Sequence, residues 1–320
     1  MAMFKLGVIG TGIMGERLLR AAIDHAGEIA TIAGVWDPSE AARARIGAGL
    51  PGLAIAASAE ALIATSDCVY IASPPASHIA LASMVLAAGK AVFCEKPLAA
   101  DLSVAEAFVA SAKGKRAAVN FPMATSFSAD HMRSWLASGV IGTPQSLTIE
   151  VAFANWPRGW QQGAAGWLDG RAEGGFTREV VSHFLFLTER LLGPIALGTH
   201  RAEFPIADRS ERAISATLSA GGIPITLTGA VGTTAKDDHN LMTLTGNGGT
   251  IRIRDWAIAE RLFNGIWQPA GDAMPQDQAR PLGLTRQLAG VAAMVRGEPH
   301  PLATLEEALA VQKIVEGILA

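Results

Sequence analysis

The sequence predicts an α/β protein in two parts: a doubly wound parallel sheet over residues 1–120, then an α+β domain with a largely antiparallel open sheet over residues 121–320. Three observations carry this. A short apolar strand, Lys5 to Ile9, runs into the glycine-rich turn Gly10-Thr11-Gly12-Ile13-Met14-Gly15 and on into a helix. Short apolar runs and alanine-rich helical stretches then alternate to about residue 120, as a parallel sheet with helices on both faces requires. Beyond residue 121 strand-like runs follow one another across short turns, the pattern of antiparallel pairing.

In order, the first strand and turn read as a dinucleotide site of the Rossmann kind. Gly10 makes the tight turn, Gly12 admits a pyrophosphate close to the backbone, and Gly15 lets the helix pack on the strand. The helix N-terminus then offers unpaired N–H groups and a positive dipole end to the phosphates. A second strand, Thr31 to Trp36, ends at Asp37, about twenty residues past the turn, where a carboxylate accepts the ribose 2′-hydroxyl. An acid there repels a 2′-phosphate, so NAD(H) is preferred and NADP(H) is the second choice. Arg43 and Arg45 close behind it weaken that preference or belong to a solvated helix face.

A helix is expected near Ser39 to Ala48, a short strand at Leu53 to Ala56 and a central strand at Asp67 to Ala72, stopped by Ser73-Pro74-Pro75. Helix His78 to Ala88, strand Ala91 to Cys94, helix Ser103 to Ala112 and strand Ala117 to Phe121 complete the first half. In the second half come a helix around Met132 to Leu136, a strand from Gln145 to Ala154 and a long helix from Gly175 to Leu192. Strands follow at Ile195 to Phe204, Ala213 to Ala220, Ile223 to Val231, Leu241 to Thr245 and Thr250 to Ile253, then helices at Leu284 to Arg296 and Leu305 to Leu319.

Composition narrows the function classes. Half of the 320 residues are hydrophobic and 17% are charged, with a formal net charge of −3, so there is no basic footprint for nucleic acid or an anionic membrane. Apolar stretches such as Ile79 to Val92 are broken by glycine and lysine, and the first strand starts too early for a signal peptide, which makes the cytoplasm the expected location. Cys68 and Cys94 lie in apolar strands and read as core residues rather than a disulfide, and no metal motif is present.

Glu95-Lys96-Pro97 leaves a buried strand at the carboxyl edge of the sheet, where open α/β sheets bind ligands, and the proline stiffens the turn that aims Lys96. From Gly10 to Gly15, Asp37, Ser73-Pro74-Pro75-Ala76-Ser77-His78 and, most specifically, Gly89-Lys90-Ala91-Val92-Phe93-Cys94-Glu95-Lys96-Pro97-Leu98, the sequence resembles the Gfo/Idh/MocA oxidoreductases, the glucose–fructose oxidoreductase and inositol dehydrogenase family. The resemblance implies a nicotinamide cofactor held by the first domain through Gly10, Thr11, Gly12, Ile13, Met14, Gly15, Asp37, Ser73, Pro74, Pro75, His78, Glu95 and Lys96. It also implies substrate contacts and an oligomer face on the second domain, with Lys96 beside substrate and nicotinamide.

The family's acid and histidine fall on Glu179 and His183, four apart and so on one helix face. The family usually has aspartate at the first of these. The resemblance makes His183 the catalytic histidine, and an imidazole of ordinary pKa about 6.5 suits moving a hydroxyl proton near neutral pH. Lys96 would stabilise negative charge on the substrate oxygen, and Glu179 would orient the imidazole or grip a second hydroxyl. Trp156, Arg158, Trp160, Trp167 and Arg171 crowd the stretch before that helix, either to stack on a sugar ring or to cap the core. Arg178 is read as a carboxylate binder or as an ion-pair partner of Glu173 or Glu179, and Asn120, ending its strand, as a substrate contact. Lys236-Asp237-Asp238-His239 reads as a plain polar turn.

Together these imply an NAD(H)-dependent dehydrogenase or reductase acting at a hydroxyl or carbonyl carbon of a sugar, polyol or related small molecule. The alternatives are a redox-neutral, NAD-dependent glycoside-cleaving enzyme and a cofactor-sensing regulator. Partners are a small-molecule substrate and, because an open sheet leaves an apolar face, a second copy of the chain in a dimer or tetramer.

Overall fold

The computed structural model describes residues 3–320. It divides into two compact units, residues 1–122 with 281–309 and residues 123–280 with 310–320. The first boundary lies close to residue 120. The return of 281–309 to the first unit has no counterpart in the sequence reading.

In the first unit β1 (Phe4–Ile9), α1 (Ile13–His25), β2 (Ala30–Trp36), α2 (Glu40–Gly49), α3 (Ala59–Thr65), β3 (Cys68–Ile71), α4 (His78–Ala87), β4 (Ala91–Glu95), α5 (Leu102–Ser111) and β5 (Ala117–Asn120) follow in order. Hydroxyl and carboxylate caps start several of the helices: Ser39, Ser58 and Asp101 accept from the backbone N–H three residues on. The five strands are parallel in the order β2-β1-β3-β4-β5, so the chain steps outward from β1 to β2 and returns past β1 to β3. The crevice at the carboxyl ends of β1 and β3 is therefore the topological switch point, where such sheets bind ligands. The strand expected at Leu53 to Ala56 is reduced to one parallel bridge between Val35 and Ile55. After α2 the chain turns at Pro51-Gly52, and only Ala54 to Ala56 reach β2, through two backbone hydrogen bonds with Val35, too few to make a ladder. Leu6, Val8, Tyr70 and Phe93 share one buried core with Leu284, Leu288, Val291 and Leu302 of the returning segment. Cys68 and Cys94 are free and buried.

The second unit contains α6 (Phe127–Ala137), β6 (Pro144–Phe153), α7 (Ala165–Leu168), a π-helical turn (Thr177–Val181), α8 (Ser182–Leu192) and the strands β7 (Ile195–Glu203), β8 (Ala213–Ala220), β9 (Ile223–Val231), β10 (His239–Gly246), β11 (Thr250–Arg254), β12 (Ile258–Phe263) and β13 (Ile266–Pro269). The unit boundary at residue 280 falls within α9 (Gln276–Arg296), and α10 (Leu305–Leu319) ends in this unit. The sheet order is β13-β12-β11-β10-β6-β9-β8-β7, antiparallel except for the parallel pair β6 and β9. The hairpin β12–β13 was not expected from the sequence, although Asn264-Gly265 at its tip is a strong two-residue turn signal. Helix α9 starts well before Leu284 and carries Pro281 within it.

One sheet face is apolar and buried, with Leu147, Ile149, Val151, Leu227, Met242 and Leu244. The other corrects the expectation of a broad apolar face. Thr148 lies between Thr226 and Thr243 in register, and Thr217 pairs with Thr226, so this side is a carpet of hydroxyls.

Candidate functional site

At the first unit's switch point two of the three glycines are fixed by close neighbours. Gly10 has φ +89°, and a Cβ there would lie 2.6 Å from the Ala72 carbonyl group. One on Gly15 would lie 1.9 Å from the Gly10 oxygen. Around Gly12 there is open space, and as the N-cap of α1 it supplies no side-chain hydrogen bond. An uncapped helix N-terminus facing a glycine-lined opening suits an anion such as a pyrophosphate. Thr11, Ile13 and Met14 lie in the same turn. Asp37 completes it, one carboxylate oxygen accepting from the Thr11 N–H at 2.7 Å and the other from the Ser39 N–H at 2.9 Å. Arg43 donates to the Asp37 carbonyl, and the exposed Arg45 reaches Glu16 at 2.5 Å and the Thr11 carbonyl, so both arginines lie beside this turn. The Arg45 guanidinium holds the Glu16 carboxyl below the usual range. These residues fit a dinucleotide.

Next to it, His78 ties the loop after β3 to the loop after β4. Its ring nitrogens lie 2.7 Å from the Ser73 carbonyl oxygen and 2.9 Å from that of Pro97. The ring is buried, so His78 shapes the ends of Ser73-Pro74-Pro75 and Lys96-Pro97 from behind. Lys96 itself is 9% exposed, and the Lys96–Pro97 peptide is cis. Beneath it the Glu95 carboxylate accepts from the Tyr70 hydroxyl and from Asn120 Nδ2 at 2.6 Å, while Asn120 Oδ1 accepts from Gln287 Nε2 at 2.6 Å. Burial and the adjacent Glu95 carboxylate push the Tyr70 phenol well up. Asn120 thus spends both ends of its amide inside the protein and is 1% exposed, which corrects its reading as a substrate contact. Glu95, read as cofactor-binding, also faces inward into this network.

In the second unit the expected long helix is not uniform. Thr177 to Val181 form a π-helical turn, closed by Ser182 N donating to the Thr177 carbonyl, and α8 begins only at Ser182. Such turns recur at functional sites. Glu179 lies in the π turn and His183 in the first turn of α8. The turn starts on Glu211, a residue the sequence reading missed: one of its carboxylate oxygens accepts from both the N–H and the hydroxyl of Thr177 at 2.7 Å. Burial raises the Glu211 pKa. The flanking Gly175 has φ +102°, and a Cβ there would meet the Glu211 carboxylate at 2.2 Å. Arg209 to Arg212 looks in sequence like a solvated charged turn, so only the fold reveals this contact.

Arg178 is corrected outright. Its guanidinium grips Glu316 bidentately at 2.8 and 2.7 Å and donates to the carbonyls of Arg171 and Gly174, which leaves no fork for a substrate carboxylate. Trp156 is buried, donates to the Leu168 carbonyl and packs edge-on against Phe153, so it caps the core. Arg158 lies among Phe153, Trp156 and Trp160 and pairs with Asp238 at 2.5 Å. Trp167 is half-buried on α7. A cavity of about 610 Å³ opens along Asn155, Trp156, Gln162, Asp169 and Asp237. Asp238 is a hub rather than a plain turn residue, since Arg158, Asn240 and the Trp256 indole all donate to it.

Among the described residues no group of three or more His, Cys, Asp or Glu could hold a metal ion, and no helix is long and apolar enough to cross a membrane.

Residues 4–121 match a family model described as an oxidoreductase family with an NAD-binding Rossmann fold. An inositol 2-dehydrogenase of Cereibacter sphaeroides is 39% identical over 104 residues, which are 30% of this chain and 29% of that protein. The scyllo-inositol 2-dehydrogenase (NADP(+)) IolU of Bacillus subtilis is 35% identical over 128 residues, 39% of this chain and 38% of that protein. The chain thus spans well under half the length of these curated relatives in the matched stretch. An Agrobacterium radiobacter oxidoreductase, solved in complex with NAD+, L-tartaric acid and magnesium, superposes with a TM-score of 0.82 at 20% identity, covering 98% of this chain and 95% of that one. That likeness is one of fold.

Proposed function

The chain belongs, through residues 4–121, to the Gfo/Idh/MocA oxidoreductases with their NAD-binding Rossmann fold, and from that premise we propose that it is a nicotinamide-dependent dehydrogenase or reductase acting at a CH–OH carbon of a sugar or polyol. The observation that carries the reading is the open, uncapped N-terminus of α1 at the switch point, with Lys96 at the carboxyl end of a strand of the same sheet. Gly10 and Gly15 shape the turn, Gly12 leaves the N-terminus of α1 open to the pyrophosphate, and Asp37 takes the ribose hydroxyls. The resemblance to inositol dehydrogenases over the first domain supports a polyol-like substrate.

When bound, the nicotinamide supplies a hydride acceptor or donor. The chain's own residues supply the rest. The Lys96 ammonium donates a hydrogen bond to the substrate oxygen and stabilises negative charge there. His183 carries the hydroxyl proton, as a base in oxidation and as an acid in reduction. Glu179 holds a second hydroxyl or the imidazole. Asp37 favours NAD(H), and Arg43 and Arg45 beside it keep NADP(H) within reach. The hydroxyl-rich sheet face of the second unit is the surface offered to a second copy.

The test is absorbance at the NADH band with the purified protein, NAD or NADP, and a panel of inositols, aldoses, polyols and hydroxy acids. Turnover with one class is expected, reduced about 10²- to 10⁴-fold in Lys96→Met and in His183→Gln with the fold intact. Tight cofactor binding with no turnover across the panel would overturn the dehydrogenase in favour of a redox-neutral enzyme or a sensor.

A further inference from the structure

Two hairpin turns in the second unit invite comparison. The β12–β13 turn places left-handed backbone at Asn264 (φ 51°) and Gly265 (φ 77°), residue types that accept it readily. The β11–β12 turn places it at Asp255 (φ 50°) and Trp256 (φ 68°). A tryptophan in that region is a true outlier, and such strain persists only where the surroundings over-determine it.

Here they do. The Asp255 N–H donates to the Asn240 carbonyl at 3.1 Å, and the Trp256 N–H to Asn240 Oδ1 at 2.8 Å. The Trp256 carbonyl accepts from the Ser128 hydroxyl at 2.9 Å. The indole N–H donates to Asp238 at 2.9 Å, and Asp238 is itself held by Asn240 and Arg158. Backbone and ring are thus tethered at both ends. The outcome is an indole 5.4 Å from the His183 imidazole in an edge-to-face arrangement (74°) and 5.2 Å from the Phe184 ring. Edge-to-face contact is the favoured arrangement of such rings and restricts how the imidazole can turn.

We propose that Trp256 is a positioning residue for His183: the strained Asp255–Trp256 turn, anchored on Asp238 and Asn240, wedges the indole against the imidazole and fixes the direction in which that ring presents its nitrogens. The inference rests on the proposed role of His183 for its kinetic consequence, though not for its geometry. Filling space against Phe184 would not require an aromatic N–H tethered to a carboxylate at the far side.

The experiment compares Trp256→Leu, which removes the ring, with Trp256→Phe, which keeps a ring but loses the Asp238 tether, both verified as folded by circular dichroism. In Trp256→Leu, kcat is expected to fall about tenfold while KM stays within about twofold, the signature of lost orientation in the reacting state. Trp256→Phe should recover part of that loss. Side-chain nuclear magnetic resonance of His183 should show the imidazole sampling more than one orientation in the leucine variant and one in the parent. Parent kcat together with a single imidazole orientation in the leucine variant would overturn the proposal. If that variant does not fold, the phenylalanine variant decides on the same two readouts. Failure of the underlying functional reading looks different: the parent would then turn over nothing across the panel, or His183→Gln would keep full turnover, while the resonance measurement would still report whether Trp256 orients the ring.

Discussion

The two candidate sites, one in each unit, are built from different materials. At the carboxyl edge of the first unit's sheet the site is backbone: an uncapped helix end, three glycines of which Gly10 and Gly15 have no room for a Cβ, and loops tied by His78. Around His183 the site is side chain: Glu211 under the π turn, Arg178 on Glu316, Asp238 and Asn240 under Trp256. A backbone site tolerates few residue types at a few positions and is indifferent elsewhere. A side-chain site spreads its requirements over residues far apart in the chain, so each one looks ordinary alone.

That contrast can be broken most sharply at Gly15. In Gly15→Val the added side chain meets the Gly10 carbonyl at 1.9 Å, measured for the Cβ alone, with no flexible group to yield. Loss of stability of about 3 kcal/mol and loss of cofactor binding are expected together, read by thermal melting and NADH fluorescence titration. Normal cofactor binding in this variant would show that the first unit's site is not a backbone construction.

A smaller effect is expected at Glu211. Glu211→Ala leaves the Thr177 N–H and hydroxyl without their acceptor inside the protein, at a cost of about 1–3 kcal/mol, while Glu211→Gln keeps an acceptor. Because burial raises the Glu211 pKa in the folded state, its contribution is fully present below the ordinary glutamate value of about 4.3 and declines as pH rises through the raised value. Melting temperature against pH should therefore fall more for the parent than for Glu211→Gln in that window. Parallel curves would remove Glu211 from the set of groups that set the π turn's stability.

The smallest effect sharpens the cofactor end. Asp37→Ser should weaken NAD(H) about tenfold, one charge-assisted hydrogen bond's worth, and narrow its advantage over NADP(H), with Arg43 and Arg45 left in place. An unchanged preference in competition binding would move the selectivity elsewhere.

The same contrast explains what could be read from the chain. Gly10 to Gly15, Asp37 and the strand leading into Lys96 were legible because a local backbone geometry demands those residue types at that spacing. Glu179 and His183 were paired in the sequence through the family resemblance and their four-residue spacing, but the π turn that holds Glu179 was not legible, because Glu211 supports it from a distant loop. Asn120 and Arg178 were misread for one reason: a polar group at the end of a strand or helix looks available until Gln287 or Glu316 arrives from the far end of the chain. The hydroxyl carpet was missed because alternation reports which residues face out, and the Thr148, Thr226 and Thr243 alignment exists only in register.

The single bridge at Ile55 has a counterpart. On the β2 side, Val35 N–H donates to the Ala54 carbonyl and Ala56 N–H to that of Val35, both at 2.9 Å. On the β5 side, Val119 N–H donates to the Ala303 carbonyl, also at 2.9 Å. Each outer strand of the parallel sheet thus has part of its hydrogen-bonding rim plugged by a passing segment too short to recruit another. Such stoppers guard against the edge-to-edge strand addition that leads to aggregation. They also steer any lengthening of this sheet, by an intruding peptide or a misfolded neighbour, into competition with contacts the chain already makes with itself.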